Sequence, residues 1–232
     1  MVRLGGRFRG EDERQSRRSR LGSRPEDSMT ALHGSLVILL HGVGSSGRDL
    51  APLAAELRDA LPHSLFVAPD APNRFDQGPG RQWFSVAGIT AANRSQRIAE
   101  ARAGFDATIT EQIDHASLSG EVGRVALVGF SQGSIMALDG LATGRWPVAG
   151  VIAFSGRLAT PDPLAPVEGA KALLIHGEVD PVIPAGETLD AAARLRRAGV
   201  AIETHVEPGL GHAISPRGVA LARRFLIDAL AP

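Results

Sequence analysis

Apolar residues fall along this chain in two alternating rhythms. Leu36-Val37-Ile38-Leu39-Leu40 is an unbroken apolar run, the mark of a strand covered on both faces. Leu50, Leu53, Ala54, Leu57 and Leu61 then recur at helical spacing, with Asp49 as the expected cap and Pro62 as the stop. Leu65 to Ala68 reads as a second short strand, closed by Pro69. Residues 69–94 keep neither rhythm, because Pro69, Pro72, Gly78, Pro79 and Gly80 interrupt them. A long amphipathic helix follows over about 95–116, marked by Ile98, Phe105, Ile109 and Ile113. Val125 to Val128 is strand-like, and Ser134 to Leu138 reads as a helix that Gly144 stops. Val148 to Phe154 and Ala172 to His176 are further buried strands, separated by a Pro-rich loop. Leu189, Ala192 and Leu195 mark a helix ended by Gly199. Ala201 to Val206 alternates more than the other strands, which places it nearer a sheet edge. Ser215 and Pro216 open a last helix, with Val219, Ala222, Phe225, Leu226 and Leu230 as its buried face.

Strand and helix thus alternate about six times, which predicts an α/β fold: a mostly parallel central sheet with helices on both faces. Sites in such sheets form at the carboxyl ends of strands. The Gly-rich or polar insertions at 41–47, 69–94, 129–133, 177–184 and 207–213 all follow predicted strands.

Composition narrows the function. The chain has 232 residues, enough for one domain with a substantial core. Its 25 basic and 25 acidic residues balance, so nothing points to nucleic acid or to an anionic membrane surface. The apolar runs are strand-sized and do not suggest stable membrane insertion. Cysteine is absent, which excludes disulfides and Cys-based metal sites. Residues 1–30 stand apart. They are rich in Arg, Ser, Gly and acids, and are expected to be a disordered tail preceding a domain at 31–232. Met29 leaves an upstream-annotated start as an alternative reading of that tail.

The chemistry centres on Gly129-Phe130-Ser131-Gln132-Gly133, which joins a strand directly to a helix. Such a Gly-x-Ser-x-Gly turn is sharp, and it holds the serine hydroxyl exposed at the carboxyl end of the strand. The following helix adds the partial positive charge of its N-terminus. A serine hydroxyl needs a base to take its proton, and the base needs an acid to fix its tautomer. Asp180 and His212 follow Ser131 in the order this chemistry uses. Glu178 is the competing acid, but Pro181 fixes the chain just after Asp180. His205 lies mid-strand, and His176 reads as a packing or loop-bonding residue. Asp162 and Asp190 read as solvated. An oxyanion would be held by the backbone N–H of Gln132 and by one from His41-Gly42-Val43-Gly44. Val43 is the assignment there, with Gly42 and Gly44 as alternatives. A phosphate-binding role for that loop lacks the Lys and Ser/Thr it would need.

Four motifs in this order resemble the phospholipase/carboxylesterase family, the acyl-protein thioesterase-like branch of the α/β-hydrolases. They are His41-Gly42-Val43-Gly44, Gly129-Phe130-Ser131-Gln132-Gly133, His176 through Pro184, and Gly211-His212. Gln82-Trp83-Phe84 adds to the likeness, which covers about residues 35–228. The resemblance implies an α/β-hydrolase fold without a large cap domain. It implies a cytoplasmic serine esterase acting on short to medium acyl esters, lysophospholipids or acyl thioesters. Its nucleophile, acid and base would be Ser131, Asp180 and His212, and its oxyanion donors Val43 and Gln132. No metal or organic cofactor is implied. The partner is a small acyl ester or thioester, with a homodimer left open. Ser45-Ser46 stands where many relatives carry an acid, which leaves that loop's rim contacts open. Trp83, Phe84 and Leu210 are the expected substrate-binding wall, against the plainer reading of Trp83 as packed core. A non-catalytic binding protein on the same fold is the remaining alternative.

Overall fold

The computed structural model describes residues 34–231; the expected N-terminal tail lies outside the described residues. Nine elements follow one another through the first two-thirds of the domain. They are β1 (Ser35–Leu40), α1 (Ala51–Arg58), β2 (Ser64–Val67), β3 (Asn73–Arg74), β4 (Arg81–Gln82), α2 (Arg94–His115), β5 (Val125–Phe130), α3 (Gln132–Ala142) and β6 (Gly150–Phe154). β7 (Lys171–Gly177), α4 (Gly186–Arg197), β8 (Ala201–Glu207) and α5 (Pro216–Ala229) complete it.

Six strands form one parallel sheet in the order β2-β1-β5-β6-β7-β8. Continuous apolar strands are what two covered faces require, and β1 is buried at all six positions. Alternate residues serve opposite layers. Leu36, Ile38, Leu40, Val125, Leu127 and Leu174 pack with α2, α3 and α4. Val37, Leu39, Ala126, Val128, Phe154 and Ile175 pack with α1 and α5. β8 is an edge strand, as β2 is at the other side, and its mixed burial matches the alternation in its sequence. Among the described residues, no helix is long and apolar enough to cross a membrane.

The strand order reverses direction at β1. The chain passes from β1 outward to β2, then returns to the other side of β1 as β5. Ligand crevices in parallel sheets lie at such a switch point. Here the loops leaving β1 and β5 meet, carrying Gly42, Val43 and Ser131 to one cleft.

The irregular segment 69–94 is tied down rather than loose. β3 and β4 pair as a small antiparallel hairpin. Arg81 straps it to the loop after β1: its N–H donates to Ser45 O, and its carbonyl accepts from Gly44 N, both at 2.8 Å. Asp49 does not cap the first α-helix. It sits inside a 3₁₀ turn, Gly47–Leu50, where its carboxylate accepts from the Ser46 N–H and the Ser45 and Ser46 hydroxyls. The α-helix starts one residue after that turn, with Pro52 in its first turn. So the two loop serines bond an acid four positions along from Ser45.

Helix α3 is buried at every one of its residues, Asp139 included. Arg102 grips the Asp139 carboxylate through two bonds of 2.9 Å, Arg145 adds a third, and Thr160 Oγ1 a fourth. Burial alone would raise the Asp139 pKa. The bonds from Arg102, Thr160 and Arg145 outweigh it and hold the pKa below the ordinary carboxylate value. Asp139→Asn should cost about 3 kcal/mol, the usual scale for breaking a buried charge network. Urea unfolding measures this; a loss under about 0.5 kcal/mol would show that the network is no more than a surface-type pairing.

Candidate active site

Ser131 stands at the junction of β5 and α3 with φ of 52° and ψ of −114°. A left-handed φ is costly for a residue with a Cβ, and surrounding structure has to enforce it. Two glycines allow the enforcement. A Cβ on Gly129 would lie 2.4 Å from Ser134 N in the turn of α3 above it. A Cβ on Gly133 would lie 2.1 Å from Leu40 O. Gly129 thus relieves the closure of β5 on its own helix, while Gly133 lets that helix seat on the neighbouring strand β1. The Ser131 N–H donates to Phe154 O at 2.9 Å, which fixes the turn to β6 as well.

Asp180 and His212 are brought together. His212 Nδ1 lies 2.6 Å from Asp180 Oδ2. The other carboxylate oxygen accepts from the N–H groups of Val182, at 2.8 Å, and Ile183, at 2.9 Å. Pro181 has no N–H to offer, so the turn presents the next two. The Asp180 side chain is fully buried. That burial would raise its pKa, but the His212 bond and the Ile183 and Val182 N–H groups hold it below the ordinary value. An ionised Asp180 keeps a proton on His212 Nδ1, which leaves the lone pair of the neutral ring on Nε2. His212 packs on Phe130 with ring centroids 5.0 Å apart. Glu178, the competing acid, instead accepts from Gly209 N at 3.2 Å.

Ser131, His212, Gly42, Val43 and Phe130 line one cleft, with Val182 and Ile214 as apolar walls. Val43, Ser131 and Gln132 also line an adjoining cleft with Phe84. The Gln132 N–H opens α3 and has no acceptor within the helix. Of the alternatives to Val43, Gly44 is already engaged through its N–H by Arg81 O.

The expected wall residues part company. Phe84 borders the second cleft. Trp83 is only 1 % exposed and belongs to the core, edge-on to Phe105 with centroids 5.4 Å apart. Its indole N–H donates to His41 O at 2.9 Å. Leu210 sits in the turn beside Gly177, its carbonyl accepting from Val179 N. Val182 and Ile214 flank the cleft on that side instead.

Two functions of side chains escaped the sequence reading. Gln132 contributes its amide as well as its backbone: Oε1 accepts from Trp83 N and Nε2 donates to Phe84 O, each at 2.7 Å. A fully buried helix carrying an amide at its first position was the available signal. His41 is the second. Its Nδ1 faces Gly42 O at 2.7 Å, so that nitrogen carries the hydrogen, and Nε2 accepts from Ala71 N at 2.9 Å. The Ala71 bond holds only for the neutral ring, whose Nε2 is free to accept. His176, expected to bond a loop, meets Thr188 through Nδ1 and Ile183 O through Nε2, each at 2.7 Å.

Comparison with known proteins places the fold among the α/β-hydrolases. Esterase PE8, a solved structure, superposes with a TM-score of 0.78 at 35 % identity, covering 85 % of this chain and 93 % of that one. The esterase YpfH of Escherichia coli (strain K12) is 33 % identical over 187 residues, 81 % of this chain and 79 % of that protein. Acyl-protein thioesterase 1 of Neurospora crassa is 27 % identical over 223 residues, 86 % of this chain and 89 % of that protein. The family model for Phospholipase/Carboxylesterase matches residues 28–229. The chain belongs to that family and is a carboxylic ester hydrolase.

Burial holds the His41 pKa below its ordinary value of 6.5, against smaller raising effects of the Gly42 carbonyl and of Asp70 and Asp49. The unfolded chain therefore binds a proton that the folded chain refuses, and stability falls as pH drops below that value. Urea midpoints at about pH 7.5 and about pH 5.5 should differ more for the wild type than for His41→Gln, which has no such proton to take up. Equal differences would assign the acid sensitivity to other groups.

Proposed function

We propose that this protein is a serine carboxylesterase that hydrolyses short- to medium-chain acyl esters through an acyl-enzyme on Ser131. The observation that carries the reading is the 2.6 Å contact of His212 Nδ1 with a buried Asp180, in a cleft bordered by Ser131. The catalytic domain is residues 31–232, a span supported by the family match over 28–229. The cytoplasm is the compartment we assign, following the family resemblance.

In this reading Ser131 Oγ attacks the acyl carbon while His212 Nε2 takes its proton. The negative oxygen that develops is held by the N–H groups of Val43 and Gln132. His212, now charged and steadied by Asp180, returns the proton to the departing alcohol oxygen. A water then gives a proton to His212 and attacks the acyl carbon. Breakdown of this second intermediate frees the acid and restores Ser131. Every step moves one proton between oxygen and Nε2, so no cofactor takes part. A thiol leaving group would use the same residues. The acyl-protein thioesterase relative makes acyl thioester, and then lysophospholipid, the substrate classes to examine after simple esters.

Ser131→Ala should lower hydrolysis of p-nitrophenyl esters by about 10³-fold or more, with the fold intact by circular dichroism. A series from acetate to palmitate would set the preferred chain length. Turnover near the wild-type rate in the variant would remove Ser131 as nucleophile. Failure of a folded wild type to react with a fluorophosphonate would favour a non-catalytic binder.

A further inference from the structure

The crevice at Ser131 has two arms. One holds His212 together with Phe130 and Ile214. The other passes Gln132, Val86, Ile89 and Ile135, and its lining also includes Arg94 and Arg157. Val43 and Ser131 border both. His212 has to reach the leaving oxygen, so the leaving group belongs in the first arm. The acyl chain is left with the second.

An apolar acyl slot has no use for two cations. A long arginine often lays its stem on apolar surface and keeps its head in water. Arg157 does not fit that description, because its side chain is only 12 % exposed. Among the described residues its ion-pair partner is Glu187 alone, at 3.4 Å, and Glu187 is itself 39 % exposed. Burial disfavours the Arg157 charge, Glu187 favours it, and the like charge of Arg94 disfavours it again. An arginine remains protonated all the same. Arg94 is half-buried as the first residue of α2, and no carboxylate pairs with it among the described residues. Two guanidinium groups that repel each other, with only the Glu187 carboxylate at Arg157 to offset them, leave this arm one positive charge in excess.

On the esterase reading above, we infer that this arm selects an acyl group that carries its own carboxylate, held by Arg94 and Arg157. A guanidinium binds a carboxylate through paired N–H donors, and two of them beside apolar walls suit a short chain ending in that group. The arm measures about 230 Å³. At about 30 Å³ for each water-sized group, that admits roughly eight non-hydrogen atoms, the size of a diacid half-ester of about five carbons. The substrate class is therefore the monoester of a short dicarboxylic acid. Hydrolysis gives the free diacid and the alcohol, with Ser131 and His212 acting as for any ester.

The test compares monoethyl glutarate with ethyl pentanoate, which has the same acyl length and no charge, by ethanol release. The wild type should favour the glutarate ester by about tenfold or more in kcat/KM, the scale of one charge-assisted contact. Added salt should shrink that ratio. Arg94→Gln and Arg157→Gln should each lower the ratio by about tenfold. Arg157→Lys, which keeps the charge, should retain part of it. Should a glutamine variant fail to fold, inhibition of the wild type serves instead. Glutarate should then inhibit ethyl pentanoate hydrolysis at lower concentration than butyrate does. A wild type that cleaves ethyl pentanoate but shows no preference for the charged ester overturns this inference and leaves the esterase reading standing. A folded wild type that cleaves neither ester overturns both.

Discussion

The contact that the rest of the site depends on is the seating of α3 against β1 through Gly133. A Cβ there would reach to 2.1 Å from Leu40 O, so the helix can approach only because that position has none. Close approach has three consequences. It buries α3 at every residue. It forces the connection from β5 into one residue, which drives Ser131 into a left-handed φ. It also brings the open N-terminus of α3 beside the loop leaving β1. The strain at Ser131 is thus a product of packing several strands wide.

That arrangement needs a way to hold the long segment 69–94, and the side chains near Ser131 supply it. Gln132 bonds the backbone of Trp83 and Phe84. His41 bonds Ala71 N through its ring and Trp83 Nε1 through its carbonyl. Arg81 closes the same segment onto Gly44 and Ser45. The Trp83 N–H, the Phe84 carbonyl and the Ala71 N–H are backbone groups of buried residues that would otherwise lack a bond. Residues adjacent to Ser131 therefore also define the walls of the cleft. Trp83 contributes by anchoring, with its indole in the core, while Phe84, the next residue, faces the cleft.

Much of this was legible in the sequence, for a physical reason. A parallel sheet covered on both faces writes itself as continuous apolar runs, and each run from Leu36 to Val206 has its strand. Ser131, Asp180 and His212 come near one another because loops at the carboxyl ends of strands converge. Side-chain orientation within an irregular segment was not legible. Trp83 and Phe84 are adjacent in 69–94, and no periodicity says which of them turns inward. Leu210 and Ile214 pose the same problem around His212: the helix cap at Ser215 sets the path, and only the fold shows that Ile214 lines the cleft. The Asp49 cap was misplaced for a related reason, since a 3₁₀ turn before α1 has no apolar period of its own.

The acid at the site shows how far burial and bonding can be balanced. A carboxylate with a fully buried side chain should take up a proton more readily than one in water. Asp180 goes the other way, because the Val182 and Ile183 N–H groups and His212 all donate to it. His176 Nε2 lies 3.2 Å from the same oxygen that His212 meets. Both neighbours of that nitrogen, Ile183 O and Asp180 Oδ2, are acceptors, so it carries a hydrogen. Asp180 is thereby fixed from its own turn, from β7 and from the loop after β8. A glutamate at the same place would need its longer stem ordered to meet the same donors, and Glu178 reaches the Gly209 N–H instead. The choice of Asp180 as the partner of His212 follows from the length of its side chain and from the two N–H groups that come immediately after Pro181.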